Sequence, residues 1–170
     1  PGKKLCFMGG EFGQFIEWNW QQELDWLLLA YPRHEQLRDY YRKLNKLYAA
    51  TPAMYRVDKS WDGFRWLNVD DRDRSSVAFL RSSEVDDAER SAIAFLRTAR
   101  NGRRLVCVCN FTPVRYDDFV IALPVAGTLH EVLNSEDERF GGGGVANPHT
   151  IKTEKEPFLD MQYSAKLTLP

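Results

Sequence analysis

Aromatic side chains are the residues of this sequence whose number and spacing most readily suggest chemistry. They make up 13% of the chain, with 5 Trp, 7 Tyr and 10 Phe. Flat rings suit stacking against flat ligands such as sugars, although most aromatic rings fill protein cores. Trp18 and Asn19 form one candidate pair, because the ring could stack on a sugar and the carboxamide could bind a hydroxyl. The alternative is that both residues only serve the structure of their segment.

A second aromatic cluster surrounds Gly63. Phe64 and Trp66 alternate, so on a strand they share one face, and Trp61 lies just before the glycine. Such a cluster could form a surface platform for a sugar, where stacking contributes about 0.5–1.5 kcal/mol beyond the buried area. Alternatively, the same face packs on the core of its own domain or on a neighbouring domain.

Thiol and imidazole groups give no sign of a metal site. The cysteines and histidines are Cys6, Cys107, Cys109, His34, His130 and His149. Cys107 and Cys109 face the same side of a predicted strand, but without a second pair or a nearby histidine they lack the usual ligand spacing. We interpret the cysteines as small apolar fillers in a reducing compartment such as the cytoplasm, and the histidines as ordinary residues. The sequence therefore predicts no metal.

Charge and hydropathy argue against two classes of partner. The formal net charge is −1, and the 23 basic residues are scattered rather than gathered into a stripe, so no nucleic acid is expected. No apolar run approaches the roughly 20 residues that a membrane-spanning helix needs, so no membrane is expected either. Gly141–Gly144 lie in a loop without a following helix pattern, which argues against a phosphate-binding loop.

The first 50 residues predict one strand–loop–helix unit. Residues 3–9 are a short apolar run closed by Gly9-Gly10, which indicates a buried strand. A long connection rich in Trp and acidic residues follows. Residues 34–50 then carry apolar side chains at three- and four-residue steps, which predicts a helix that ends before Thr51-Pro52. A βα unit cannot bury its own faces without parallel neighbours, so this part looks separated from a larger α/β fold.

After Pro52 the pattern changes to short strands separated by turn residues, which predicts an antiparallel β-sandwich. The predicted strands are 63–69, 76–80, 92–96, 105–111, 119–123, 129–133 and 165–169. The predicted fold class is therefore mainly β, preceded by a remnant βα unit.

A tandem repeat lies within this second part. Residues 70–81 and 86–97 are near copies, with eight of twelve positions identical. Two copies are too few for a solenoid, so a local duplication fits better. The duplication offers the sheet two near-equivalent strands for one position, which makes the pairing register ambiguous. Either both copies form a hairpin, or one of them is displaced as a loop.

Short motifs in a fixed order along nearly the whole chain carry a family resemblance. They are residues 1–14, Glu17-Trp18-Asn19, Leu24-Asp25-Trp26, Gly63-Phe64-Arg65-Trp66, the Ser-x-x-x-Phe-Leu-Arg segment, Asn110-Phe111-Thr112-Pro113-Val114, and Val132-Leu133-Asn134-Ser135. Together these motifs resemble those of glycogen-type (1,4-α-glucan) branching enzymes of the α-amylase superfamily.

The resemblance implies a catalytic (β/α)8 barrel followed by a β-sandwich of the α-amylase C-terminal all-β type. Residues 1–52 then look like a remnant of the barrel, with residues 4–9 as its eighth strand and residues 34–50 as its eighth helix. Residues 53–170 look like the C-terminal β-domain, without its usual final strand. Branching enzymes cleave an α-1,4 link of a glucan and transfer the chain to a 6-hydroxyl, which makes α-1,6 branches in glycogen biosynthesis without a metal or organic cofactor.

Catalytic residues are not expected in this chain. Retaining glycoside chemistry needs two carboxylates about 5 Å apart, and the resemblance places the essential carboxylates on earlier barrel strands. The chain alone is therefore expected to be inactive. The implied ligand is an α-glucan such as glycogen or amylose. The candidate substrate-binding residues are Trp66, Trp61, Trp18 and Asn19, and the candidate residues of the barrel rim are Glu11, Gln14 and Asp25.

Three hypotheses stay open for the chain itself. The first is an inert part of a branching enzyme, the second a stand-alone glucan-binding β-domain that uses Trp61 and Trp66, and the third a structural module that covers a barrel. The first concerns origin and is compatible with either of the others. Another transferase of the α-amylase superfamily is a further alternative, which the order of the motifs disfavours. The expected protein partner is the missing N-terminal barrel, and without it the exposed apolar surface would favour self-association.

Overall fold

The computed structural model describes residues 4–57, 61–68 and 92–170, except for the side chains of Trp61, Trp66, Asn68, Ala92 and Ile93. The chain divides into two units. The helical unit comprises residues 4–52 together with Leu133–Val145. The β unit comprises the described parts of Ala53–Val132 together with Ala146–Pro170. Among the described residues, none of the helices has the length and hydropathy of a membrane span.

The helical unit is organised by one helix, α1, which spans Pro32–Ala50. Pro32 lies in the first turn, where its missing N–H costs no intrahelical bond, and the extended Thr51 followed by Pro52 ends the helix. The predicted apolar stripe is half-buried, and no side chain of α1 is fully buried. The helix predicted at residues 34–50 is therefore present and is two residues longer at its start.

Two short 3-10 turns before α1 form the small core of the helical unit. They span Gly10–Phe12 and Trp26–Ala30. The Phe12 ring is buried, and its centroid lies 5.4 Å from that of the Trp26 ring. The Phe12 carbonyl contacts Nδ1 of His34 at 2.7 Å, which joins the first 3-10 turn to the start of α1.

The buried strand predicted at residues 3–9 is wrong for the residues that the structure describes there. Residues 4–7 form no strand, and the side chains of Leu5 and Phe7 are 86% and 56% exposed. A strand of a parallel sheet needs hydrogen-bonded neighbours and a cover on both faces. Within residues 4–57, 61–68 and 92–170, no strand pairs with this segment. The barrel remnant that the resemblance implies is therefore not confirmed.

The described part of the β unit contains seven strands in three antiparallel sheets. The strands are β1 (Phe64–Asn68), β2 (Ala92–Thr98), β3 (Arg104–Asn110), β4 (Tyr116–Leu123), β5 (Thr128–Leu129), β6 (Ile151–Lys152) and β7 (Tyr163–Leu169). The sheets have the orders β1-β2-β3, β4-β7 and β5-β6. The predicted, mainly antiparallel β fold is confirmed, although the strand predicted at 129–133 is reduced to Thr128–Leu129.

The core of the β unit gathers residues from the three-stranded sheet and from the β4–β7 pair. Its buried members are Leu67, Ala94, Leu96, Ile121, Leu123 and Ala165. Ala94 and Leu96 alternate along β2, so both point to the same face of the sheet. Full burial of a leucine or isoleucine side chain contributes about 1.5–3 kcal/mol relative to exposure. This cluster is therefore a core that the β unit supplies from its own strands.

The second copy of the tandem repeat occupies the central strand of the three-stranded sheet. Its residues 92–97 lie in β2, between β1 and β3, whereas the first copy, 70–81, lies outside the described residues together with the predicted strand 76–80. Arg97 ends the copy and is buried. Its Nε donates to the Ala53 carbonyl at 3.1 Å and its Nη2 to the Met54 carbonyl at 3.2 Å.

One segment from the second half of the chain, Leu133–Val145, belongs to the helical unit, and we call it the anchor segment. Its contacts with α1 include a hydrogen bond and a ring contact. Nη1 of Arg33 donates to the Gly141 carbonyl at 2.5 Å, and the rings of Tyr40 and Phe140 meet edge to face at 5.4 Å. The predicted division into residues 1–52 and 53–170 does not anticipate this segment and stays a prediction about a barrel and a β-domain.

Candidate functional site

Five of the seven predicted site residues lie in the aromatic loop, residues 11–31 of the helical unit. Gln14 holds this loop together, because its Oε1 accepts the Asp25 N–H at 2.8 Å and its Nε2 donates to the Ile16 carbonyl at 3.0 Å. Gly9 lies against Gln14 with a left-handed φ of 85°, and a Cβ there would be 2.9 Å from the Gln14 Cβ. The structure thus brings the predicted rim residues Gln14 and Asp25 together.

Glu11, the third predicted rim residue, borders an open cavity of about 430 Å³. The other lining residues are Arg38, Tyr41, Arg42, Asn45, Lys46 and Ala49, which lie along α1. The Cys6 thiol donates to Oε2 of Glu11 at 3.7 Å. Slight desolvation raises the pKa of this thiol, and the Glu11 carboxylate raises it further. Glu11 therefore lies among cations of α1 and is not directed at Gln14 or Asp25.

Trp18 and Asn19, the predicted sugar-binding pair, lie on the outer side of the aromatic loop. The Trp18 ring is 38% exposed and meets the Phe7 ring edge to face at 5.7 Å between centroids. The Asn19 Oδ1 accepts the Gln21 N–H at 2.9 Å, so the carboxamide is oriented by its own turn. An aromatic face beside an oriented amide is an arrangement that can stack on a sugar and bind a hydroxyl.

Four further rings of the aromatic loop, those of Phe15, Trp20, Trp26 and Tyr31, are more exposed than Trp18, and the sequence analysis did not select them as sugar-binding residues. Trp20 is 77% exposed and Phe15 is 81% exposed. The Phe15 ring stands edge-on to the His34 ring at 5.0 Å, which fixes it although it is open to solvent. The signal that could have identified them is the density of aromatic residues between Gly13 and Tyr31, which exceeds what a loop needs for its own core.

The side chains of the second predicted platform, Trp61 and Trp66, lie outside the described residues. Their backbones lie in a 3-10 turn and in β1, where Trp66 pairs with Phe95. A β-bulge between Trp66 and Asn68 interrupts the alternation of β1. The Phe64 ring stacks on the Phe95 ring at 5.4 Å. The platform on β1 stays a prediction.

The aromatic loop offers stacking rings and hydrogen-bonding groups. In the described ranges, no group of three or more His, Cys, Asp or Glu side chains could hold a metal ion. Burial, together with the neighbouring Cys109, raises the pKa of Cys107 to about 11, so its thiol stays neutral near pH 7. The geometry of the aromatic loop therefore favours recognition of a neutral, hydroxyl-rich ligand by stacking and hydrogen bonds.

Known proteins that are similar to this chain match it along both units. The chain is similar along all 170 residues to the 1,4-alpha-glucan branching enzyme GlgB of Halothermothrix orenii, at 39% identity over 25% of that protein. It is 36% identical to GlgB of Bacillus anthracis and 38% identical to GlgB of Marinobacter nauticus, over 24% and 25% of those proteins. The chain thus spans about a quarter of the length of the curated relatives that it matches.

A family of β domains matches the second half of the chain. Residues 83–170 match the alpha amylase, C-terminal all-beta domain. This range starts after the first copy of the repeat and includes the second, in agreement with the place of residues 92–97 in the central strand β2. The match covers just over half of the chain and contains the sheet core around Leu96 and Ile121. The chain therefore belongs to the family of the alpha amylase C-terminal all-beta domain.

Proposed function

We propose that this chain is part of a 1,4-α-glucan branching enzyme, and that its aromatic loop contacts the glucan in that enzyme. The supporting comparison is the similarity to GlgB proteins, which extends through both units and is not confined to the β family domain. The proposed reaction cleaves an α-1,4 link and transfers the released chain to a 6-hydroxyl. The catalytic carboxylates of this reaction lie in the rest of the enzyme, so the chain alone is inactive.

The observation that carries the proposal is the exposure of Trp18 and Trp20 on a loop that is fixed from within. Gln14 ties the loop to Asp25, and Phe12 anchors it below. Because the Trp18 ring already contacts Phe7 and the loop backbone is held by Gln14, binding orders fewer groups, so more of the stacking energy contributes to affinity. Each ring contributes about 0.5–1.5 kcal/mol beyond area burial. The loop holds a glucan chain in position and does not itself transfer protons.

A second part of the proposal concerns the apolar surface of the helical unit. Its most exposed members are Leu5, Phe7, Phe15, Trp20, Leu27 and Tyr31. Exposed apolar area of this extent is typical of an interface. We assign it to the preceding part of the same enzyme, in agreement with the share of the GlgB proteins that this chain leaves unmatched. Self-association is the alternative outcome when that part is absent.

Glycogen binding tests the loop directly. Co-sedimentation with glycogen is measured for the chain and for a Trp18→Ala, Trp20→Ala double variant, with Phe111→Ala as a control because Phe111 is comparably exposed in the β unit. We expect the double variant to bind about tenfold more weakly, from the loss of two stacking contacts, and the control to bind unchanged. Retention of full affinity by the double variant contradicts the assignment.

The competing hypothesis, a glucan site on the β unit, is tested with a separate variant, Trp66→Ala. Trp66→Ala leaves binding unchanged if the aromatic loop is the site, and it abolishes binding if β1 is the platform. Folding of each variant is checked by circular dichroism, so that loss of structure is not read as loss of a contact. If the unmutated, folded chain fails to bind glycogen, its contribution to the enzyme is structural.

A further inference from the structure

Two chain segments of the β unit come together as a short stem at the base of the anchor segment. β5 pairs with β6 through Thr128↔Lys152 and Leu129↔Ile151. Beyond the strands the two segments stay together, because Nδ2 of Asn147 donates to Oε2 of Glu131 at 3.0 Å. We call residues 128–131 and 147–152 the stem.

The stem places two histidines side by side that are far apart in sequence. The ring centroids of His130 and His149 are 5.7 Å apart, and the rings are inclined by 55°. Both side chains are exposed. A histidine nitrogen lies about 2.0–2.1 Å from a bound Zn²⁺, so two imidazoles on one tetrahedral ion have centroids about 5.3 Å apart. The observed separation is within a few tenths of an ångström of that value.

The hydrogen bonding of His130 also suits a metal ligand. Its Nδ1 contacts the His149 carbonyl at 3.2 Å. When Nδ1–H donates to this carbonyl, Nε2 carries the lone pair, and metal-binding histidines commonly donate their other ring N–H to a backbone carbonyl in this way. Within residues 92–170, neither Nε2 of His130 nor the ring of His149 has a hydrogen-bond partner. Three ring nitrogens of the pair thus remain available at the protein surface.

We propose that His130 and His149 bind one divalent transition-metal ion of the imidazole-preferring class, such as Zn²⁺, Ni²⁺ or Cu²⁺. Two imidazoles without a carboxylate cluster favour these ions over Mg²⁺ and Ca²⁺, which prefer oxygen ligands. Water completes the coordination. The ion ties residue 130 to residue 149 and so closes the base of the anchor segment. This site is independent of the glucan proposal, because no residue of the aromatic loop takes part.

Isothermal titration calorimetry with Ni²⁺ tests the site. The background chain carries Cys6→Ser and Cys109→Ser, because these two exposed thiols could bind the ion. Cys107 is retained, since burial raises its pKa to about 11 and keeps the thiol protonated. We expect one ion per chain, and a loss of about tenfold or more in affinity in both His130→Gln and His149→Gln, since each removes one of two protein ligands. The matched control is His34→Gln, which changes the histidine of the helical unit and is expected to leave the affinity unchanged.

Two results would overturn the proposal. One is the absence of Ni²⁺ binding by the background chain, and the other is equal affinity in His130→Gln, His149→Gln and the control. A variant that shows no thermal unfolding transition in the presence of a chelator has lost its fold. The site is then tested by NMR on the unmutated chain. Paramagnetic Ni²⁺ then broadens the imidazole signals of His130 and His149 and spares His34. Broadening of all three histidines alike contradicts a specific site.

Discussion

The β unit and the helical unit differ in how they bury their apolar side chains. The β unit encloses Leu67, Leu96 and Ile121 between its own sheets. Among the described residues of the helical unit, Phe12 is the one large side chain with almost no exposure. The described chain has sixteen exposed large apolar side chains, and ten of them lie in the helical unit. Antiparallel strands supply neighbours to each other through short connections, but a single helix with a loop supplies none. This difference supports the proposal that the helical unit packs against another part of a larger enzyme.

The largest expected effect comes from the core of the β unit. Leu96→Ala should lower the free energy of unfolding by about 2–5 kcal/mol, because it removes buried methyl groups and leaves a cavity. The matched variant in the helical unit is Leu27→Ala, whose side chain is 80% exposed and whose loss should cost at most about 0.5 kcal/mol. Urea denaturation followed by circular dichroism measures both. Equal effects would remove the distinction between the units.

An intermediate effect is expected at the anchor segment. A Cβ at Gly142 would overlap the backbone of Glu136, so Gly142→Ala should displace the segment from α1 at a cost of about 1–3 kcal/mol. Gly10→Ala is the control, because nothing lies within 4 Å of a Cβ at that position. Amide hydrogen exchange at Tyr40 reports the result, since its ring contacts Phe140. We expect faster exchange at Tyr40 in Gly142→Ala than in the control. Exchange at Tyr40 that is no faster in Gly142→Ala than in the control would contradict the packing described for this segment.

The smallest effect concerns thiol chemistry in the two units. Cys6 of the helical unit is exposed, whereas Cys107 of the β unit is half-buried with a pKa of about 11. At pH 8 only about 0.1% of a thiol with that pKa is ionised, and the thiolate is the reactive form. Iodoacetamide should therefore modify Cys107 more slowly than Cys6, as followed by mass spectrometry of peptides. Equal rates would show that β3 opens readily to solvent.

The sequence predicts those elements whose stabilising neighbours lie close along the chain. The helix at residues 34–50 follows from its apolar period, and the antiparallel strands follow from alternation and turns. The strand at residues 3–9 is wrong because an apolar run indicates a tendency to be buried and does not provide the partner. The contacts of the anchor segment with α1 could not be predicted, since Arg33 and Gly141 are more than 100 residues apart.

The candidate sites show the same limit. Trp18 and Asn19 could be selected from residue type alone, but the greater exposure of Trp20 depends on how the loop folds around Gln14. His130 and His149 show no ligand spacing in the sequence, and they meet only because β5 pairs with β6. Short-range patterns therefore identify single residues, whereas pairs of residues that form a site depend on strand pairing.

The central claim is that the helical unit is completed by the preceding part of a branching enzyme. Hydrogen exchange of residues 4–31 and of α1 tests this claim most directly. The exchange rates are measured in the chain alone and in a chimera in which the chain replaces the matching quarter of the Halothermothrix orenii GlgB. We predict strong additional protection of residues 4–31 in the chimera, with the β core around Leu96 and Ile121 unchanged. Equal exchange of residues 4–31 in a folded chimera and in the chain alone would contradict the claim.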